Sequence, residues 1–188
     1  MEHTLFERAV LFATDAHHGG KRKMETCPYI IHPMEVATVV ATMTSDENVL
    51  AAAVLHDVVE DTNTTLDKVA ELFGGRVAEL VKSETEDKRK DRPAEETWQI
   101  RKEETLKTIK ETDDLGIKML WLGDKLANMR SYYRNKLKNG DEFWNMFHQK
   151  DPKMQEWYYT EIANALKELS DFPAYKEYCS LMKTVFSE

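Results

Sequence analysis

Asn48 to Val59 is an almost unbroken apolar segment, rich in Ala, Val and Leu, and it runs directly into four ionisable residues, His56, Asp57, Glu60 and Asp61. A helix that is apolar all round has to be buried, so this one is expected at the centre of the fold. Its ionisable end then needs a compensating partner. His56 and Glu60 are four apart, as are Asp57 and Asp61, so each pair projects from the same side of one helix end. Three buried carboxylates and an imidazole are costly unless a cation offsets them. Acids near a helix C-terminus also oppose the macrodipole. A last turn opening into solvent would avoid the cost, but Val58 and Val59 keep that turn partly apolar. A bound metal removes both conflicts.

The other segments follow a helical period. Leu5, Ala9, Phe12, Ala13 and Ala16 recur at 3.6-residue spacing, as do Val36, Val39, Val40 and Met43. Thr64 caps an expected helix to Phe73, Gly74-Gly75 breaks it, and Arg76 to Val81 resumes. Pro93 opens another helix, with Glu95 and Glu96 at the positive end of its dipole. A long helix is expected from about Lys118 to Leu137, and two more begin after Asp151-Pro152 and Asp171-Phe172-Pro173. The best strand candidate, Pro28 to Ile31, is short, and no linker or repeat interrupts the chain. The expectation is one all-α domain, a size that 188 residues can fill with a single core.

Two further places carry candidate ligands. His32 precedes Pro33, where extended backbone is expected. Asp124 and Asn128 lie one turn apart after a strongly apolar stretch, and a buried aspartate there needs a partner. Together His32, His56, Asp57 and Asp124 make a mixed imidazole and carboxylate shell, suited to Mn²⁺, with Fe²⁺ and Zn²⁺ as alternatives. A metal-bound water becomes a nucleophile near neutral pH.

Charge narrows the partners. The net charge of −8 argues against a long nucleic acid. Within that acidic chain, Lys21-Arg22-Lys23 and Lys88-Arg89-Lys90 with Arg92 form local basic clusters, which read either as two solvated loops or as a pocket for a small, highly charged anion. The longest uncharged stretches are about ten residues, such as Val36 to Ser45, short of the ~20 a membrane helix needs. The N-terminus lacks a secretory pattern, and Cys27 and Cys179 are the only cysteines, which fits a reducing cytoplasm.

The wider motifs resemble one family. Ala16-His17-x-Gly19-x-x-Arg22-Lys23, Pro28-Tyr29-Ile30-x-His32-Pro33, Leu55-His56-Asp57-Val58-Val59-Glu60-Asp61-Thr62, Phe73-Gly74 and Leu122-x-Asp124-Lys125-Leu126-x-Asn128-Met129-Arg130 are similar to the HD-domain metal-dependent phosphohydrolases, specifically the hydrolase domain of RelA/SpoT-type enzymes. The resemblance implies an HD-type helical fold over 1–188, with a motif-bearing core at about 5–140 and C-terminal helices at about 141–188. It implies a stand-alone small alarmone hydrolase of MESH type that removes the 3′-pyrophosphate of ppGpp and pppGpp. It makes His32, His56, Asp57 and Asp124 the Mn²⁺ ligands, and Glu60 and Asp61 the residues that orient and deprotonate water. It sets Arg22 against the purine base, Lys23 near the phosphates and Asn128 on the sugar or phosphate.

The chain departs from the family at Gly20, Gly123 and Ala127, where Gln, Ala, and His or Tyr are usual. Arginine stacking tolerates any purine, so another nucleotide substrate stays open: a 5′-nucleotidase, an NADPH phosphatase or an adenine alarmone hydrolase. A non-catalytic nucleotide sensor would be expected to lose Glu60 or Asp61, and both are present. The partner expected is a small nucleotide, not a membrane, and the oligomeric state is left open. The aromatics Phe143, Trp144, Phe147, Trp157, Tyr158 and Tyr159 read mainly as core, and Trp98-x-x-Arg101-Lys102 as helix surface with one buried aromatic.

Overall fold

The computed structural model describes residues 2–22, 25–89 and 91–187. Its helices run in the order α1 (Leu5–Ala16), α2 (Ile31–Val40), α3 (Glu47–Leu55), α4 (Val58–Asp61), α5 (Leu66–Phe73), α6 (Gly75–Glu84), α7 (Ala94–Glu111), α8 (Leu115–Asn139), α9 (Pro152–Ala165) and α10 (Pro173–Phe186). Two 3₁₀ turns, Gly140–Met146 and Lys167–Leu169, flank α9. Among the described residues there is no strand, only an isolated bridge between Lys21 and Pro28. The fold is all-α. No helix among the described residues is long and apolar enough to cross a membrane.

Local chemistry sets the helix starts. Thr4 and Glu7 form a reciprocal capping box on α1. Thr65 caps α5 through its hydroxyl, one residue later than expected, because that oxygen reaches the Lys68 amide. Asp114 caps α8 by accepting from the Gly116 and Ile117 amides, which starts the long helix three residues before the apolar run that announces it. His32 differs more. It lies in the first turn of α2 rather than in extended backbone. First-turn amides have no partner within a helix, so Pro33 sacrifices no hydrogen bond there, and the extended preference of a pre-proline residue is overridden.

The helix expected from Asn48 to Val59 stops at Leu55. His56 Nδ1 lies 2.8 Å from Ala53 O, the carbonyl that a continuing helix would offer to the Asp57 amide. A turn at His56 and Asp57 separates α3 from the single turn of α4. The side chain thus competes with the backbone ladder and ends it.

α3 is central. Ala51, Ala52, Ala53, Val54 and Leu55 are fully buried, and α1, α2, α6 and α8 pack around it. α8 is the other axis, packing on α2, α3, α6, α7 and α10. Gly123 allows α2 and α8 to approach closely. A Cβ there would sit 2.7 Å from Val40 Cγ2 and 3.2 Å from Val36 Cγ1. This accounts for glycine beside the candidate ligand Asp124: the valines of α2 fill the space that a methyl group would take.

Gly123→Ala should therefore destabilise the protein, although alanine favours a helix by ~1 kcal/mol over glycine. Overpacking at such a contact typically costs about 1–3 kcal/mol, and against that gain thermal melting should show a net fall of up to about 8 °C. Adding Val40→Ala should recover part of that loss. A Gly123→Ala protein as stable as the parent would mean that the α2–α8 contact has slack.

Candidate active site

His32 comes from the first turn of α2, His56 and Asp57 from the break after α3, and Asp124 from the middle of α8. The fold brings all four together. His32 Nε2 is 3.1 Å from Asp124 Oδ1 and 3.6 Å from Asp57 Oδ2. His56 Nε2 is 3.0 Å from Asp57 Oδ2 and 3.7 Å from Asp124 Oδ1. His32, His56 and Asp124 each offer one ligand atom within 4.8 Å of the others. Asp57 has a second duty, since Tyr29 OH donates to its Oδ2 at 2.7 Å.

The donor set suits a divalent cation. His56 is 2% exposed, and with Nδ1 at Ala53 O its Nε2 has no aligned hydrogen-bond partner. That buried nitrogen sits 3.0 Å from Asp57 Oδ2 and 3.7 Å from Asp124 Oδ1 without the alignment of a hydrogen bond to either, which is how ligands aimed at a shared point are disposed. Asp124, 6% exposed, is steadied by Asn128 Nδ2 at 2.7 Å on Oδ1 and Lys125 Nζ at 2.6 Å on Oδ2. Charge follows the same pattern. Burial opposes ionisation of Asp124, yet Lys125 and the histidines hold its carboxyl well below the usual range. Burial lowers His32. Burial also acts against the His56 cation, but Asp57, Asp124 and Glu84 outweigh it and lift His56 to about 10. The carboxylates draw positive charge into the cluster.

Glu60 and Asp61 stand on α4, beside the cluster. Tyr29 OH also donates to Asp61 Oδ2 at 2.7 Å, so this one hydroxyl ties Asp57 to Asp61. Lys88 Nζ bridges Asp61 and Glu60, at 3.1 Å from the latter, and the Glu86 amide donates to Glu60 Oε2 at 3.0 Å. Burial, then the charge of Asp57, raises the Glu60 carboxyl, with Lys88 acting against them. Arg22 and Asn128 also meet: Arg22 donates to Asn128 Oδ1 at 2.8 Å, and its guanidinium lies 5.8 Å from the Tyr29 ring centre. The left-handed turn at Gly19 and the Lys21–Pro28 bridge fold Arg22 back over Tyr29. Lys23 and Lys90 lie outside the described residues.

The cluster opens into a polar cavity of about 190 Å³ that contains Glu60, Asp61, Glu84 and Glu86 with the four candidate ligands Asp57, Asp124, His32 and, behind them, His56. Beside it is a larger space of about 360 Å³, lined by Arg101, Lys102, Tyr132, Phe147, Tyr158 and Tyr159 among others. Arg22, Tyr29, Asp61, Lys102, Lys125 and Asn128 line both, so the two form one cleft. Phe143 and Trp144 are core, as expected, whereas Tyr158 and Tyr159 are both core and cleft wall.

Several of these residues escape sequence reasoning. Trp98 is the buried aromatic expected of α7, but Arg101 is also buried and Lys102 half-buried, both facing the cleft rather than a helix surface, because α9 packs over that side of α7. The basic run from Lys88 divides: Lys88 reaches the acids of α4, while Arg89 pairs with Glu104 and Arg92 with Glu96. Glu84 is the least expected. It is 7% exposed, and its Oε1 has no hydrogen-bond partner. No periodicity marks it as buried, since it ends a mixed polar helix.

The HD-domain family matches residues 9–143. This chain belongs to that family. Among HD-domain relatives, a guanosine-3′,5′-bis(diphosphate) 3′-pyrophosphohydrolase of Aquifex aeolicus is 36% identical over 127 residues, 68% of this chain and 18% of that one. The bifunctional (p)ppGpp synthase/hydrolase SpoT of Escherichia coli K12 is 40% identical over 125 residues, 66% of this chain and 17% of SpoT. The chain thus spans less than a fifth of these relatives. Two solved structures are closer in size. One, described as a metazoan SpoT orthologue that hydrolyses ppGpp and plays a role in starvation responses, superposes with a TM-score of 0.77 at 25% identity, over 98% of this chain and 96% of that one. The other, lmo0812 from Listeria monocytogenes EGD-e, gives 0.73 at 32% identity, over 84% and 99%.

The HD-domain site stores a pH dependence in Glu84. Burial, reinforced by Asp124 and Asp57, raises its carboxyl well above the usual glutamate value despite Lys125. An acid raised in the folded state binds its proton more tightly there than in the unfolded chain. Its contribution is therefore present below the unfolded pKa of ~4.3 and is lost as pH rises above it. In metal-free protein, Glu84→Gln should gain stability relative to the parent as pH rises from 4 to 8. Thermal melts across that range measure it, and a constant difference would show that Glu84 folds without a shifted carboxyl.

Proposed function

We propose that this protein is a metal-dependent phosphohydrolase that removes the 3′-pyrophosphate of ppGpp and pppGpp, leaving GDP or GTP. The observation that carries this reading is the joining of two chemistries in one cleft. A His/His/Asp cluster with spare acids lies at one end, and a cationic, aromatic-walled space lies at the other. Its likeness to a ppGpp-hydrolysing orthologue over 98% of the chain supports the substrate class. The proposed domain is a single HD hydrolase unit over 1–188, in which α9 completes the cleft wall and α10 backs it against α8. The proposed compartment is the cytoplasm, consistent with the free thiols of Cys27 and Cys179.

In this reading His32, His56, Asp57 and Asp124 hold one divalent cation, Mn²⁺ by preference, since imidazole and carboxylate donors suit it. When bound, the cation supplies Lewis-acid charge and acidifies a coordinated water toward neutral pH. Glu60, whose burial raises its basicity, accepts the proton of the attacking water. Asp61, fixed by Tyr29 and Lys88, orients that water. Arg22 stacks on the purine, as its planar, weakly hydrated guanidinium suits. Asn128 bridges Arg22 and Asp124, and so ties substrate position to the ligand helix. Lys23 is proposed to lie near the phosphates on sequence grounds alone.

Incubating Mn²⁺-loaded protein with ppGpp should yield GDP and pyrophosphate on ion-exchange chromatography. Orthophosphate alone, or no turnover of ppGpp, would reject the substrate assignment. His56→Ala should lose the metal by elemental analysis, with circular dichroism checking the fold separately.

Glu60→Gln and Asp61→Asn should keep the metal and lower kcat, by ~10²–10⁴-fold for the general base. If either variant loses the metal instead, that residue belongs among the ligands.

A further inference from the structure

We infer that Arg101 and Lys102 form a second anion subsite for the 5′-diphosphate of the nucleotide, and that Glu86 occupies this subsite as an internal competitor in the free protein. The inference rests on the proposed reaction for the identity of the nucleotide, and on the cleft itself for the subsite.

Carboxylates gather at one end of the cleft. The cavity beside the histidines holds Asp57, Glu60, Asp61, Glu84, Glu86 and Asp124, with Arg22, Lys102 and Lys125 on the wall it shares with the larger space. The larger space next to it is lined by Arg22, Lys88, Arg101, Lys102 and Lys125, with Asp61 as its one carboxylate among the described residues. Three of these cations already serve the catalytic end. Lys88 is bound to Glu60 and Asp61, Lys125 to Asp124, and Arg22 to Asn128. Arg101 lines only the larger space, Lys102 stands on the shared wall, and among the described residues both pair with Glu86 rather than with a residue of the cluster.

Glu86 fills the role an anionic ligand would have. Its Oε2 accepts a short hydrogen bond from Arg101 Nη1, while its Oε1 accepts from Lys102 Nζ at 2.7 Å and from the Thr105 hydroxyl at 3.3 Å. One carboxylate thus receives two cations and a hydroxyl, the donor set that recognises a phosphate group. The cations are built in rather than adventitious: Arg101 is 9% exposed, and Lys102 Nζ also lies 5.0 Å from the Tyr158 ring centre. Tyr158 lines both cleft and core, so the ammonium is held against a fixed wall.

The position of the loop makes the competition consequential. The Glu86 amide holds Glu60, and Lys88, two residues on, holds Glu60 and Asp61. A nucleotide phosphate that takes Arg101 and Lys102 releases the Glu86 side chain. A substrate phosphorylated at both ends then spans from the His/Asp cluster, where Glu60 and Asp61 would act on water, to the cations of α7. A nucleotide with a bare 5′-hydroxyl leaves Glu86 in place.

GDP tests the subsite without turnover, because it carries the 5′-diphosphate and nothing at the 3′ position. Calorimetry should show Lys102→Gln and Arg101→Gln weakening GDP binding by at least about tenfold. Glu86→Gln should tighten it by about three- to tenfold, as removal of a competing state does. Guanosine, with no phosphate, should bind all four proteins alike. The opposite signs are decisive, since a purely structural ion pair predicts that all three variants weaken binding. Weaker GDP binding in Glu86→Gln, unchanged GDP binding in Lys102→Gln, or parallel losses for GDP and guanosine would each overturn the inference. Lys102, less buried than Arg101, keeps the test available if Arg101→Gln does not fold. Turnover of ppGpp by the parent protein is scored separately, so a failed reaction and a failed subsite give different results.

Discussion

An ionised aspartate in the middle of a long buried helix has no local remedy, and much of this structure follows from supplying one. Asp124 is surrounded by the core residues Leu120, Trp121, Leu122 and Leu126 of α8. Burial alone would neutralise it. It stays ionised because Lys125 and Asn128, one and four residues along the same helix, bond its oxygens, while His32 and His56 arrive from two other helices. The positions of α2 and α3 against α8 are thus fixed by polar as well as apolar contacts. The glycine at 123 lets the valines of α2 come close enough for His32 to reach across.

Ending α3 where the site begins is the complementary device. His56 turns its Nδ1 to the Ala53 carbonyl, which both stops the helix and sets the ring so that Nε2 faces the carboxylates. Helix termination and ring orientation are therefore one event. The following turn, α4, presents Glu60 and Asp61 at an angle that an unbroken helix would not give, and the Tyr29 hydroxyl links this turn to Asp57. The acids that would oppose a helix dipole are instead distributed over a break, with Lys88 to balance them.

The C-terminal helices give the cleft its second half. α9 lies against α7, and α10 against α8 and α9. Tyr158 and Tyr159 of α9 are core on one side and cleft wall on the other, while α10 supplies core alone. This arrangement holds Lys102 and Lys125 beside aromatic rings in a confined space, where charge is less screened than at the surface. The acidic chain as a whole thereby maintains a locally cationic chamber.

Helical period, caps and the apolar run before His56 were enough to establish an all-α chain with a buried central helix, because these signals act between residues a few positions apart. That His32, His56, Asp57 and Asp124 need partners was likewise legible, since ionisable groups next to apolar runs are costly to bury alone, and the fold does bring the four side chains together. What the linear pattern misjudged depended on neighbours distant in the chain. The pre-proline His32 is helical because it begins α2. Arg101 and Lys102 face inward because α9, more than fifty residues later, covers them. Glu84 is buried without an ion-pair partner among the described residues because α6 packs against α3 and α8. Sequence alone determined which groups the chain possesses and which helices carry them. Only the tertiary structure decided which charges share one cavity, because electrostatic and desolvation energies depend on distance and burial in space rather than on separation along the chain.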